Sequence, residues 1–544
     1  MPAGSGVKRG LAAIAVVVAV FADAAGAATT RLDEHGTVLV DGRKVFPIVL
    51  AKGPEGPQLE RVVAAGVNFL KVGPASSPWV AADFDDALAR NREAAERDIY
   101  TWVNLATLAD ATPDTPVKDA RLREVINRLE GDPSGKALAM WKGADEPQLA
   151  EFEPEELQYA YCVATSRGEA SWCRGQPTAD EEHLWVTIQA PRGTAEQLAP
   201  YSAVTDIHGV DHYPVRFGEP DPKLHEIGEW TDLITSVTPN RAVWTTLQVC
   251  ASGSSGPDDS FVLPTKTQER YMIYDAILNG ARSLAFYGGN LDRCWNANDT
   301  AAGWNWTFWD TVLENLVREI GAGSPLAPAL VNPGSTKVLS STDATIQVIS
   351  REGANPSELW VIAARHGEGT VPVTISGLPD GVGTGSVYLE GRSVEAVGGS
   401  FTDTFSRWDV NVYRFVVPPP PPPLSPPRPT PPPAPPAVAP PPPLPVQAAA
   451  LRGTKASSTR SGHLFTRRVG LTTDTGSAVT AGVVSCGARA RGAPLRVHAK
   501  GWRLGAAYCT WRLPRRARGR VLRGVLRVDS DGLSLTHRFT YRVR

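Results

Sequence analysis

The sequence of 544 residues contains few of the side chains that hold metal ions, with nine histidines and six cysteines. No two cysteines have the CxxC spacing of a zinc site, and no histidines cluster near them. We therefore expect neither a structural metal nor a cofactor. The chain also lacks a glycine-rich phosphate turn after its first predicted strand, which argues against a doubly wound nucleotide-binding sheet.

Long apolar runs are missing beyond the N-terminus, and a membrane-spanning helix needs about 20 such residues. At the N-terminus, Lys8 and Arg9 precede the apolar run 11–22, and Ala25-Gly26-Ala27 supplies a small-residue cleavage pattern. This arrangement predicts a secretory signal peptide over residues 1–28. We expect a secreted, extracellular protein that is either soluble or associated with a cell wall.

Export to an oxidising compartment allows the six cysteines to form disulfides. Several connectivities are open to six cysteines. Proximity in the chain favours three local pairs, Cys162 with Cys173, Cys250 with Cys294, and Cys486 with Cys509.

Residues 29–330 alternate between strand-like and helix-like patterns. A hairpin that turns at Asp41-Gly42 leads into the first strand. The predicted strands are 45–50, 67–73, 100–105, 138–145, 183–189, 207–214, 242–248 and 283–288, separated by stretches of helical spacing or by an insertion. Eight strands alternating with helices over this length predict a (β/α)8 TIM barrel.

The fourth predicted strand ends in Asp145, Glu146 and Pro147. Catalytic groups of such barrels lie where strands end at the C-terminal rim, and proline stops a strand because it cannot donate to the ladder. The alternative is an acidic helix N-terminus that favours the helix dipole. We take Glu146 as the leading candidate for a catalytic acid.

Other strand ends place polar and aromatic side chains at the same rim. The candidates for substrate binding there are Asn104, Asp145, Gln189, Tyr213, Gln248, Tyr287 and Asn290, and Asp211 is the best second carboxylate. Trp295 and Trp304 follow the eighth strand, where they would serve as platforms for sugar rings or pack into the core. Trp306 and Trp309, three apart on a predicted helix, are expected to pack on the barrel.

Three further segments follow the barrel. Residues 331–417 have short strand patterns typical of a small β-sandwich. Residues 418–447 are a proline tract, which predicts a semi-rigid polyproline II spacer rather than a ligand for SH3-type domains. Residues 448–544 predict a basic, immunoglobulin-like all-β domain, in which Cys486 and Cys509 would join the sheets.

The final segment has almost no acidic residues, with 20 Lys and Arg against three Asp and no Glu. Such a surface is an electrostatic footprint for a polyanion. In an exported protein an anionic wall polymer, an acidic polysaccharide or an anionic membrane surface is expected as the partner rather than nucleic acid. The alternative is a solvated arginine-rich surface with no partner.

Several of these motifs together resemble a known superfamily. They are VDGRKVFPI, AAGVNFLKV, the Asp-Glu-Pro of strand four, VDHYPV and NGARSLAFYGG. Over about residues 36–330 the chain resembles the retaining (β/α)8 glycoside hydrolases that include β-galactosidases and cellulases. The segment that ends in DVNVYRF is similar to the C-terminal sandwich that many of them carry. The resemblance implies a carbohydrate substrate and a general acid/base role for Glu146, with Asp145 where the superfamily usually has asparagine.

The chain departs from that superfamily at strand seven, where the nucleophilic glutamate is replaced by Gln248. Retention requires two carboxyl groups ~5 to 5.5 Å apart, whereas inversion needs ~6.5 to 9.5 Å to admit a water. Because strands four and six are not neighbours, Glu146 and Asp211 are expected to have the longer separation. A secreted glycoside hydrolase is therefore the leading hypothesis. The alternative is a catalytically inactive, hydrolase-like protein that binds glycans or the cell wall.

Overall fold

The computed structural model describes most of the chain outside the N-terminus and the proline tract. The described residues are 28–75, 77–132, 135–168, 173, 180–239, 241–249, 262–288, 294–332, 334–335, 337–418, 450–453, 464–472, 478–479, 483–490, 493–503, 506–514, 517, 519–530 and 533–543. The predicted signal peptide and spacer therefore lie almost entirely outside the described residues. By its internal contacts the chain divides into two compact units, residues 1–424 and 425–544.

The first unit contains a closed barrel of eight parallel strands, which confirms the predicted fold. Strand eight closes the barrel by pairing with strand one, with Leu284 opposite Ile48. In chain order the barrel strands are Ile48–Leu50, Phe69–Val72, Tyr100–Asn104, Leu138–Asp145, Leu184–Gln189, Ile207–Asp211, Ala242–Gln248 and Ser283–Tyr287. A three-stranded antiparallel sheet precedes them, formed by Thr30–Leu32, Val38–Val40 and Arg43–Val45.

Helices follow each barrel strand, including strand four, after which the sequence predicted an insertion. They are Leu59–Ala65, Ala81–Ala95, Pro116–Glu130, Pro154–Thr165, Ala195–Leu198, Glu226–Val237, Lys266–Leu278 and Glu314–Ile320. Shorter helical segments are Gly56–Gln58, Ala106–Leu108, Gly135–Ala137, Ala199–Val204, Ala297–Ala302, Trp306–Phe308, the π-helical Trp309–Leu313, and Ala327–Val331. Among the described residues no helix is both long and apolar enough to span a bilayer.

Large apolar side chains fill the barrel interior. Phe69, Trp102, Met140 and Trp244 belong to one buried cluster, with the Trp102 and Trp244 ring centroids 5.3 Å apart. Because side chains alternate along a strand, the residues two positions later point the same way and lie nearer the C-terminal rim. These later residues include Lys71, Asn104 and Lys142, so the interior changes from apolar to polar at the mouth.

A β-sandwich follows the barrel within the first unit. One sheet contains Ser340–Ser341, Val371–Ser376 and Ser400–Phe405, and the other contains Ile346–Glu352, Glu358–Arg365, Val410–Val416, Thr384–Val387 and Arg392–Glu395. Trp360 and Ile362 of this sandwich belong to the same buried cluster as the barrel helices. Arg270 also joins the two parts, since it is paired with Glu319 at 2.7 Å and donates to the carbonyl of Val410.

The second unit consists of two antiparallel sheets. The first contains Ala450–Gly453, Leu464–Thr472, Ala506–Arg512 and Val497–Arg503, with Ala478–Val479 beside the second of these strands. The other contains Ala493–Pro494, Val483–Ala490, Val521–Ser530 and Leu533–Arg542. The Cys486–Cys509 disulfide joins the two sheets, as predicted, with its Cα atoms 5.9 Å apart.

The other predicted disulfides lie in the barrel region. Cys162 is bonded to Cys173, which confirms that pair. Cys294 is also disulfide-bonded. Its predicted partner, Cys250, lies outside the described residues.

Candidate active site

The end of strand four is irregular in a way that redirects its side chains. Lys142 pairs with Val186 of strand five, but the next paired residue, Asp145, faces Ile188, so a bulge lies between them. Gly143 is required inside this bulge because a Cβ atom there would lie 2.0 Å from the indole Nε1 of Trp185. Bulges re-aim side chains near active sites. The simple alternation of a strand therefore does not apply to Asp145 and Glu146.

Glu146 has a left-handed backbone conformation, with φ of +46°. This conformation is strained for a non-glycine residue and costs about 1–3 kcal/mol, and such residues cluster at active sites. Its amide donates to the carbonyl of Ile188 at 2.6 Å, which fixes the turn, and Pro147 follows. The next helix starts only at Pro154, so Glu146 does not belong to a helix N-terminus.

Asp145 is the ionised carboxylate at this strand end. Its Oδ1 accepts a 2.5 Å hydrogen bond from Nζ of the buried Lys142, while its side chain remains 52 % exposed. Burial acts to raise the pKa of Asp145, but the charge and hydrogen bond of Lys142, with the charge of Lys71, lower it below its ordinary value. Asp145 therefore holds a negative charge at the mouth.

Glu146 and Asp211 form a carboxyl pair across the mouth. The two carboxyls interact electrostatically, because the charge of Glu146 acts on the pKa of Asp211. Burial, followed by the charge of Asp145, raises the pKa of Glu146. Burial and the charges of Glu146 and Asp145 raise the pKa of Asp211 well above its ordinary range. Tyr213 donates to Asp211 Oδ2 at 2.9 Å, and this hydrogen bond fixes the Asp211 side chain at the end of strand six.

The expected separation of the Glu146 and Asp211 carboxyls stays a prediction. The bulge and the left-handed turn give Glu146 a direction that simple alternation along strand four would not give it. Because the pKa of Asp211 is raised well above its ordinary range, its protonated form is favoured, which does not suit a base that activates water.

Gln248 lies at the end of strand seven but its amide is fully occupied. Its Oε1 accepts from the amide of Val215 at 2.9 Å. Its Nε2 donates to the carbonyls of Val215 and Val262, both at 2.7 Å. The side chain thus joins the segments that follow strands six and seven and has no free group for a substrate.

Two other predicted amides are also buried. The Asn104 side chain donates to the carbonyl of Ala75 at 3.2 Å and to that of Pro74, which fixes the segment after strand two. Gln189 accepts a 3.3 Å bond from the amide of Gln148, while its Nε2 has no partner among the described residues. Both contacts order loops at the mouth.

The aromatic candidates divide between mouth and core. Tyr213 stacks on Tyr287, with ring centroids 5.7 Å apart, and both are half-buried. Trp304 is only 4 % exposed, packs against Trp306 and donates its indole N–H to the carbonyl of Lys52 at 3.1 Å, so it is a core residue. Trp295 is half-buried. Asn290 lies outside the described residues.

Two lysines of the mouth were not assigned a role from the sequence. Lys142 holds Asp145, and Lys71 lies nearby on strand two. Burial and the charge of Lys142, partly offset by Asp145, lower the pKa of Lys71 to about 8. The available signal was a lysine inside an otherwise apolar strand in both NFLKV and LAMWKGAD.

No family model and no curated protein matches this chain. Solved structures similar to it include an α-amylase from Geobacillus thermoleovorans in complex with acarbose, with a TM-score of 0.42 and 10 % identity over 69 % of this chain and 99 % of that one. A GH27 β-L-arabinopyranosidase from Geobacillus stearothermophilus has a TM-score of 0.40 and 10 % identity over 66 % and 90 % of the chains. The α-galactosidase I of Mortierella vinacea has a TM-score of 0.40 and 9 % identity over 66 % and 91 %. With values this low, function has to be argued from the site itself.

Proposed function

We propose that the barrel hydrolyses glycosidic bonds of a polysaccharide or oligosaccharide, with Glu146 as the proton donor. The observation that carries this proposal is that the pKa values of two adjacent carboxyls are shifted in opposite directions. The pKa of Glu146 is raised while that of Asp145 is lowered. Two carboxyls whose pKa values are shifted apart in this way supply the acid and the ionised group of glycoside hydrolysis.

Glu146 provides the proton. Asp211 is only 8 % exposed, whereas Glu146 is half-buried, so of the two carboxyls with a raised pKa Glu146 is the one that can reach a substrate. Glu146 would give this proton to the glycosidic oxygen as the C–O bond breaks. Asp145 lies beside it and would stabilise the positive charge that develops on the sugar ring. Water then adds to the anomeric carbon, and the proton that it releases restores Glu146. Asp211 keeps its place in the catalytic set as the buried carboxyl that interacts electrostatically with Glu146.

The remaining aromatic and polar groups support binding of a sugar. The stacked Tyr213 and Tyr287 offer aromatic surface at the mouth. The proposal also includes secretion, which the N-terminal sequence pattern and the disulfides support. Association with an anionic wall polymer or membrane surface is proposed for the basic residues 448–544.

The test is a screen of the purified chain against polysaccharides and aryl glycosides, with product anomers followed by NMR. On any substrate that is cleaved, Glu146→Gln should reduce turnover by about 10³-fold or more on unactivated substrates and leave binding within about twofold. The matched control is Glu155→Gln, an exposed residue of the helix after strand four, which should retain full activity. Unchanged turnover of Glu146→Gln would remove it from the mechanism.

A non-catalytic, glycan-binding barrel is the second candidate. The occupied amide of Gln248 and the raised pKa of Asp211 favour it, because neither group provides an ionised nucleophile in this arrangement. This function predicts that the chain binds glycans with no product formed from any of them. Release of a reducing end that depends on Glu146 would exclude it.

A further inference from the structure

One face of the second unit has exposed arginines on several neighbouring strands. The four-stranded sheet formed by residues 483–490, 493–494, 521–530 and 533–542 turns alternate side chains into the core, among them Leu522, Leu526 and Phe539. Most of the opposite side chains are exposed. The exposed arginines of this face are Arg489, Arg523, Arg527, Arg538 and Arg542, which we call the arginine face.

The register places like charges next to one another. Arg489 lies directly opposite Arg523 on the neighbouring strand. Directly opposed side chains in antiparallel strands have Cβ atoms about 4.5–5.5 Å apart, and like charges at that position destabilise a sheet. On its other side Arg523 faces Thr540, which Arg538 and Arg542 flank on the next strand. The positive charges therefore extend across three adjacent strands.

The described acidic residues do little to neutralise this face. In the part of the second unit that the structure describes, Asp529 is the single carboxylate side chain, and it pairs with Arg527 at 3.1 Å. Arg489, Arg523, Arg538 and Arg542 have no ion pair among the described residues. A bound anion that bridges Arg489 and Arg523 would turn their repulsion into attraction.

We propose that the arginine face binds a linear acidic polysaccharide. The planar guanidinium fork forms paired hydrogen bonds with carboxylate-type anions, and it is less strongly hydrated than the ammonium of lysine. Positive charges on three adjacent strands suit an extended chain that crosses those strands. The preference for a polysaccharide over other polyanions rests on the proposed action of the barrel on glycans, whereas binding itself is independent of catalysis.

The experiment measures binding of the full-length chain to polygalacturonate, with its methyl-esterified form as the neutral polymer of the same backbone. We expect binding to the acidic form alone, weakening steeply as salt shortens the Debye length from ~10 Å at 0.1 M to ~3 Å at 1 M. The double variant Arg489→Gln/Arg523→Gln should lose about tenfold or more in affinity. Near-UV circular dichroism of the variant establishes that the fold is kept.

The matched control removes two exposed arginines outside the arginine face, Arg496 in the connection between the two sheets and Arg512 on the other sheet, in the variant Arg496→Gln/Arg512→Gln. It has the same change in net charge and should stay within about twofold of the parent affinity. Equal losses in both variants would show a diffuse charge effect and overturn the proposal. Tighter binding of double-stranded DNA or of anionic lipid vesicles would overturn it in favour of another occupant. Glu146→Gln should bind polygalacturonate like the parent, so a failure of hydrolysis is separable from a failure of this site.

Discussion

Gln248 lies at the strand-seven position where a retaining hydrolase has its nucleophile, and its side chain links the loops that follow strands six and seven. Replacing it by glutamate puts a carboxylate against the carbonyls of Val215 and Val262, each 2.7 Å from the present Nε2. Because two donated bonds become repulsive contacts in a buried place, we expect Gln248→Glu to lower the free energy of unfolding by about 2–4 kcal/mol and to create no activity. Urea denaturation and product analysis measure the two effects.

Gln58→Glu, at an exposed position, is the control and should be nearly neutral. The appearance of hydrolysis with retained configuration in Gln248→Glu would contradict this account of Gln248. It would show that a carboxylate at strand seven can reach the sugar despite its bonds to the loops.

At the scale of elements, the bulge of strand four decides where the acidic side chains point. Gly143→Ala would place a Cβ atom 2.0 Å from Trp185 Nε1, so the indole or the strand must shift. We expect a loss of about 1–3 kcal/mol in stability and a fall in any activity that depends on Glu146, because overpacking moves the bulge. Thermal unfolding and kinetics on the same substrate provide the measurement.

The control for this change is Gly323→Ala, where a Cβ atom meets nothing within 4 Å. It should leave both stability and activity unchanged. Full activity of Gly143→Ala would mean that the bulge does not set the position of Glu146.

The strands could be predicted from the sequence, whereas the directions of the side chains at their ends could not. Apolar runs such as 242–248 are long and bounded by turns, so their existence follows from local pattern. The direction of the Glu146 side chain depends instead on a bulge and a left-handed residue, and Gly143 within the bulge lies close to Trp185 in the folded chain. The sequence leaves the role of Trp304 open for the same reason, since only the folded chain shows that its ring packs against Trp306 and that its N–H donates to the carbonyl of Lys52.

For the whole molecule, charge is divided along the chain. The net charge is −2, yet residues 448–544 contain 20 basic and three acidic residues, so the preceding residues are acidic as a group. A barrel with this bias would be repelled by an acidic polymer at long range. A basic unit in the same chain offsets that repulsion, which gives a physical reason for the two to occur together.

The stability of the barrel should depend on pH through three ionisable side chains near the start of strands four and five, Glu130, Asp180 and His183. Glu130 ends the helix after strand three, and its carboxyl lies beside that of Asp180. Asp180 also accepts from Trp141 Nε1 at 2.8 Å and is paired with His183, whose Nε2 contacts the carbonyl of Leu138 at 2.9 Å. The ligand atoms of Glu130, Asp180 and His183 lie within 4.8 Å of one another, but both imidazole nitrogens are engaged, so the group is a hydrogen-bonded network.

Burial, followed by the hydrogen bond and charge of Asp180, raises the pKa of Glu130 to about 9 from an ordinary value of 4.5. Between these values the unfolded chain releases a proton that the folded chain keeps, so the contribution of Glu130 to stability is complete below pH 4.5 and is lost as pH rises towards 9. Glu130→Gln keeps a donor to Asp180 but has no proton to release. We therefore expect its stability relative to the parent to increase from pH 5 to pH 8.5, measured by urea denaturation at both values. The exposed control Glu196→Gln should show no such trend, and a difference between Glu130→Gln and the parent that does not change with pH would mean that Glu130 is ionised in the folded protein.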